Sequence, residues 1–208
     1  MRVGVLVMML VLFCYARASQ KAVTEQGDVV VLNDDGTWVY ENGAAAVPVA
    51  ISKNPKLFSA PSNANFQLKS NRTDVAFKFD PKQWNFSKDE QGEAAEYNFK
   101  LKSGDLYAMA ITEQLEIALE TLVDIAVDNA RDAAPDIQVV TKEYRNVNGL
   151  KVIYMEMEGA IQKVRFTYLG YYYSDASGSV QYLAYTGTNL VQKYRKDIDQ
   201  FLNGLVLQ

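Results

Sequence analysis

The stretch QVVTKEYRNVNGLKVIYMEMEGAIQKVRFTYLGYYYSDASGSVQYLAY, residues 138–185, decides how the rest of the chain is read. It divides into four runs rich in β-branched and aromatic residues, at Gln138 to Arg145, Leu150 to Glu158, Ile161 to Tyr173 and Val180 to Tyr185. Such runs bounded by turn residues predict consecutive antiparallel strands. Asn148-Gly149 supplies the positive φ that a tight hairpin needs, and Ser174 to Ser179 joins the last two runs. A helical pattern precedes this block and another follows it, so the expectation is an α+β fold: a central antiparallel sheet covered by helices.

Upstream, Phe66 onward is strand-like. Val75, Phe77 and Phe79 alternate with polar neighbours until Pro81, and Trp84 and Phe86 follow. Ala95, Tyr97, Phe99 and Leu101 mark a second strand, and Leu106 to Ile111 a third. Thr112 to Asp132 reads as a helix capped by Thr112, with Glu116, Glu120, Asp124 and Asp128 every four residues and Leu115, Leu119, Leu122 and Ala126 opposite. A carboxylate stripe of this kind is the ordinary solvated face of a helix, although it also has the form of a metal or partner surface. Asn189 to Gly204 reads as a second helix, with Leu190, Val191, Tyr194, Ile198, Phe201 and Leu202 on its apolar side and a cap at Thr188 or Asn189.

The amino terminus has three parts of a secretory signal: Met1-Arg2, an apolar run from Val3 to Tyr15, and the small-x-small site Ala16-Arg17-Ala18. The expected domain map is a signal peptide over 1–18, a small β-hairpin over 19–42, a linker over 43–65 and the main domain over 66–208. Cys14 offers lipidation as an alternative to cleavage, but Phe13 stands where such signals need a small residue. Cleavage after Ala18 leaves 190 of the 208 residues and moves the formal charge from −4 to −6, because Arg2 and Arg17 leave with the signal. The expected location is the periplasm or the exterior, with no retained membrane span.

Composition narrows the chemistry. A modestly acidic chain lacks the basic footprint of nucleic-acid binding, and no basic run is long enough to hold an anionic membrane. The chain has no histidine, and its one cysteine lies in the signal. That removes Ser–His and Cys–His nucleophile systems and any zinc site built on imidazole or thiolate. No cofactor is expected. Carboxylates, lysines, tyrosines and hydroxyls remain.

In the hairpin unit, Val29 to Leu32 and Thr37 to Tyr40 flank Asn33-Asp34-Asp35-Gly36. Asp34 and Asp35 begin no calcium-loop spacing and read as a solvated turn. Trp38 and Tyr40 are candidate partner contacts, since an isolated hairpin is marginal in water. The segment from Gly27 to Tyr40 resembles one found near the start of various exported bacterial proteins and carries no assigned chemistry. From Gly43 to Asn65, Pro48, Pro55 and Pro61 forbid a long helix and suit a tether. Asn71-Arg72-Thr73 and Asn85-Phe86-Ser87 match the glycosylation pattern.

The order of elements, with Phe77-Lys78-Phe79-Asp80-Pro81 leading to Trp84 and a helix soon after a strand, resembles the PsbP-like family. That family includes a photosystem accessory protein, Mog-type nuclear transport proteins and bacterial DcrB-type envelope proteins. The resemblance spans Phe66 to Leu207 and implies an α/β/α sandwich, with helices on both sheet faces, in a protein that docks on other proteins. It brings no catalytic motif.

Tyrosine is the biased residue: nine of the twelve tyrosines after the signal lie between Tyr144 and Tyr194. On the third run, Val164, Phe166, Tyr168 and Tyr172 share one face, and Arg165, Thr167, Leu169, Tyr171 and Tyr173 the other. Arg165, Tyr171 and Tyr173 form a candidate recognition surface, because tyrosine and arginine dominate binding hot spots. Tyrosine is equally a good strand former whose hydroxyl reaches the sheet rim. Asp80 and Trp84, near a strand end, are a second candidate. Three functions stay open: an exported accessory protein that binds another envelope or secreted protein, a carrier of a small apolar ligand, and a carboxylate-based hydrolase.

Overall fold

The computed structural model describes residues 20–23, 29–33, 36, 38–41, 49–88 and 94–208. The signal peptide with Cys14, the turn acids Asp34 and Asp35, and residues 43–48 of the expected linker lie outside the described residues. The chain divides into two compact units, Met1–Ala45 and Ala46–Gln208.

In the first unit, β1 (Gln20–Val23), β2 (Val29–Leu32) and β3 (Trp38–Tyr40) form an antiparallel sheet in that order. The expected hairpin is therefore present with one more strand. Val30 is buried, and Gly36 holds the turn with φ +82°.

The second unit is built on an eight-stranded sheet and a smaller three-stranded one. Its strands are β4 (Ser52–Phe58), β5 (Phe66–Lys69), β6 (Val75–Phe79), β7 (Trp84–Lys88), β8 (Tyr97–Leu101) and β9 (Tyr107–Glu113). After α1 (Leu119–Ala133) come β10 (Gln138–Val147), β11 (Leu150–Ile161), β12 (Val164–Asp175) and β13 (Gly178–Gly187). A 3₁₀ turn at Thr188–Leu190, α2 (Val191–Leu202) and β14 (Leu205–Leu207) complete it. The large sheet runs β4-β10-β11-β12-β13-β9-β8-β7, antiparallel throughout except that β4 lies parallel to β10; the small one runs β14-β6-β5.

The four expected strands of 138–185 are all present; β10, β11 and β13 are longer than their runs, while β12 starts three residues later than expected, Ile161 belonging to β11. Gln162 and Lys163 make the β11–β12 turn with φ +50° and +70°, a two-residue turn formed without glycine. Helices lie on both sheet faces, as an α/β/α sandwich requires. Ile153, Met155, Met157, Tyr172 and Leu183 pack under Leu122, Val123, Ala126 and Val127 of α1. On the opposite face Val152, Tyr154, Leu169, Tyr171 and Tyr182 meet Ile198, Phe201 and Leu202 of α2 together with Val75, Phe77 and Phe79 of the small sheet.

Three expectations are corrected. Thr112 does not cap a helix: it is buried in β9, the helix begins at Leu119, and Ala118 precedes it with no side-chain cap bond. Leu115 consequently lies outside the helix and is exposed, whereas the stripe of Glu116, Glu120, Asp124 and Asp128 faces solvent. Neither Thr188 nor Asn189 caps α2. Gly204 lies just past the end of α2, as expected, and turns the chain into β14, its carbonyl accepting the Lys78 N–H at 2.8 Å. Part of the expected tether is a strand. Phe58 stacks on the Arg145 guanidinium (4.7 Å), which also lies over Tyr154 (3.6 Å), and Asn148 donates to the Phe58 carbonyl. Those contacts hold β4 against β10 despite its low strand propensity.

Candidate interaction surface

Eight strands at about 4.8 Å spacing make a sheet nearly 40 Å wide, and a helix is about 10 Å across. One face carries α2 and the whole small sheet; the other has only α1, which rests on β11, β12 and the near side of β13. The α1 cluster reaches Met109 and Ile111 of β9, and among the described residues no helix or strand packs over the part of that face formed by Asn85, Ser87, Asn98 and Lys100.

Register places one transverse row of side chains running from the edge of the α1 cluster, at Tyr168, out onto this open region. Tyr168 of β12 pairs with Tyr185 of β13, Tyr185 with Tyr107 of β9, Tyr107 with Lys100 of β8, and Lys100 with Asn85 of β7. Tyr168 and Tyr185 stack at 5.4 Å and 28°, and Tyr185 and Tyr107 at 5.6 Å and 21°; the Lys100 ammonium stands 5.3 Å over Tyr107. All three tyrosines are half-buried. Beside them opens a hollow of about 350 Å³ whose polar lining is Asn85, Ser87, Asn98 and Lys100, with no carboxylate. Burial pushes the Tyr168 phenol up, and burial with the neighbouring phenols pushes Tyr185 up. Both stay neutral at ordinary pH and can donate as well as accept hydrogen bonds.

This row lies on the opposite face of β12 from the residues expected to recognise a partner. Tyr171 is 1% exposed beneath α2, its hydroxyl donating to Asn203 Oδ1 at 2.8 Å. Tyr173 is buried on the same side and donates to Asp175 Oδ2 at 2.7 Å. Only Arg165 of that trio is exposed, 3.8 Å from both Asp136 and Glu158. The trio does share a face, but α2 covers most of it. The alternation identified Tyr168 without showing which face would be left open.

Asp80 and Trp84 do come together, as a structural corner. Asp80 accepts the Lys82 N–H at 2.8 Å, its carbonyl accepts from Gln83 and Trp84, and Trp84 packs on Phe201 with ring centroids 4.2 Å apart. The notch they line has about 10 Å³ of free volume, room for about one water. In the first unit, Trp38 is 51% exposed and makes an edge contact with Tyr40 at 5.2 Å.

One buried acid escaped the sequence reading. Glu96 sits just before β8, 2% exposed, and accepts hydrogen bonds from Ser70 Oγ (2.7 Å), Asn71 N (2.7 Å), Asn71 Nδ2 (3.0 Å) and Thr112 Oγ1 (2.5 Å). Burial pushes its carboxyl up, but the donors from Thr112, Asn71 and Ser70 outweigh this and hold it below the usual range. The group is a closed staple between the β5–β6 turn and β9. It also engages Asn71, whose Nδ2 donates to the Tyr97 hydroxyl as well, so this sequon's amide is tied into a network; Asn85 is exposed on β7. Among the described residues no cluster of three or more acidic side chains could hold a metal, and no helix is long and apolar enough to cross a membrane.

No family model and no curated protein matches the sequence. Solved structures do. The solution structure of cyanobacterial PsbP (CyanoP) from Synechocystis sp. PCC 6803 superposes with a TM-score of 0.54 at 11% identity, over 71% of this chain and 95% of that one. A protein of unknown function from Pseudomonas aeruginosa gives 0.45 at 10% identity, over 69% and 96% of the two chains. One from Bacteroides thetaiotaomicron gives 0.46 at 9%, over 70% and 49%. The first of these shows a PsbP-like fold, and at such identity shows the fold alone.

Proposed function

We propose that this chain is an exported, non-enzymatic accessory protein that holds another envelope or secreted protein against the bare tyrosine row. The observation that carries the reading is the row itself. Three stacked, half-buried tyrosines in direct register lie on a sheet face that one helix is too narrow to cover. Rigid aromatic side chains with a polar tip cost little entropy to immobilise and recur as binding anchors. The space under each helix is filled instead: Tyr172, Ile153 and Met155 beneath α1, and Tyr171 and Tyr182 beneath α2, are all at most 1% exposed.

A photo-crosslinking side chain placed at Lys100 in the full chain, expressed in its own envelope, tests this. The same side chain at Asp128, on the outer stripe of α1, serves as the control. A reproducible protein adduct from position 100, absent from position 128 and lost when Tyr168 and Tyr185 are changed to serine, supports the reading. Adducts indifferent to position or to the tyrosines overturn it. Amino-terminal sequencing of the exported chain, expected to start at Ser19, tests the export half.

A further inference from the structure

At the far end of the same sheet, β4 breaks away from β10. The parallel register passes from Lys53↔Tyr144 directly to Leu57↔Asn146, so Asn54, Pro55 and Lys56 bulge out against Arg145 alone. The bulge opens a hollow of about 730 Å³ lined by Lys53, Asn54, Pro55, Tyr144, Arg145, Asn146 and Lys151.

Both side-chain amide oxygens in this lining are engaged, and donors are left over. Asn54 Oδ1 accepts from Lys56 N and Asn146 Oδ1 from Gly149 N. The Tyr144 phenol donates to Glu120, and Glu143 takes both Arg145 and Asn54 Nδ2. The Lys53 and Lys151 ammoniums form no close ion pair among the described residues; Lys151 stands 4.6 Å over the Tyr144 ring and acts on Glu120 only at longer range. The hollow contains no acid, in a chain whose net charge is −4. Edge lysines and a proline would by themselves only discourage strand pairing. Lys53 and Lys151, however, are in register with Tyr144 and Asn146, on the face that carries α1, and so flank a concavity.

We infer that this hollow is a binding site for a small soluble anion, a phosphate or carboxylate carried on a ring-sized apolar group. The anion lies between the Lys53 and Lys151 ammoniums and the Asn146 amide, and the apolar part lies on Pro55 and the Tyr144 ring. A single inorganic anion would leave most of the volume unfilled.

The test is a titration of the full ¹⁵N-labelled chain with phenyl phosphate, benzoate and inorganic phosphate, following backbone amide shifts. Saturable shifts at residues 53–57 and 144–151 are expected with at least one ring-bearing anion, and weaker ones with inorganic phosphate. The double change Lys53→Ser, Lys151→Ser, both exposed positions, should weaken binding about tenfold and spare the fold, because each exposed charge contact is worth well under a factor of ten. Tyr185→Ser should leave it unchanged, which separates this site from the tyrosine row. No saturation, equal affinity for inorganic phosphate (an adventitious ion only), or shifts unaffected by the lysine changes would each overturn the assignment.

Discussion

Changing Glu96 to glutamine should be among the most damaging isosteric substitutions in the chain. Glu96 Oε1 accepts two donors from Asn71, and Oε2 accepts the Ser70 and Thr112 hydroxyls. Bonds to a charged acceptor are worth about 1 kcal/mol more than neutral ones, so neutralising three surviving bonds costs about 3 kcal/mol. The fourth cannot survive. Ser70 Oγ already accepts the Arg72 and Thr73 N–H groups, so both its lone pairs are in use and its proton would oppose the new Nε2 donor. A buried donor left opposed adds about 1 kcal/mol, for a total of about 4 kcal/mol, or roughly 10 °C in Tm for a unit of this size. Urea unfolding at neutral pH measures it, with Glu158→Gln, half-buried and loosely paired, as a control expected within about 0.5 kcal/mol. The pH dependence has a definite sign. The folded carboxyl lies below its ordinary 4.5, so its stabilisation is fully present above pH 4.5 and is lost as pH falls through the lowered value. The gap between parent and variant should therefore narrow in acid. A Glu96→Gln protein within about 1 kcal/mol of the parent at pH 7 would refute the closed network.

Other changes probe the layers. Tyr182 is fully buried among Phe77, Phe99 and Phe201, and no group among the described residues bonds its hydroxyl. Tyr182→Phe should therefore raise stability by about 1 kcal/mol, whereas Tyr171→Phe, which loses the bond to Asn203, should lower it by about as much. Denaturant midpoints at constant m distinguish the two signs. At Gly204 a Cβ would lie 1.8 Å from the Lys78 carbonyl oxygen, so Gly204→Ala must separate β14 from β6 and cost about 3 kcal/mol by chemical unfolding. Removing the cation between Phe58 and Tyr154 by Arg145→Ala should loosen β4, read as faster amide exchange at residues 52–58 with the rest of the sheet unchanged.

The sheet was legible because hairpin order is local: Asn148-Gly149 and the alternating runs set β10 to β13 without long-range information. Helix faces were legible for the same reason. The start of α1 was not, because Thr112 has the chemistry of a cap and its burial beside Glu96 depends on a turn some forty residues earlier in the chain. Strand β4 was hidden because the groups that dock it, Arg145 on the Phe58 ring and the Asn148 N–H on the Phe58 carbonyl, lie far along the chain. The tyrosine row required two things absent from any window of sequence: the register of five strands, and which face carries a second sheet. On β12 both faces are aromatic, so alternation alone could not choose between Tyr168 and Tyr171.

The bare tyrosine row is most directly tested by the affinity of the crosslinked partner, once purified, for the parent chain and for the Tyr168→Ser, Tyr185→Ser double variant. Two anchor residues at about 1.5 kcal/mol or more each predict a loss of at least about a hundredfold, with the variant still showing a single cooperative unfolding transition. Undiminished affinity in a folded double variant would contradict the account.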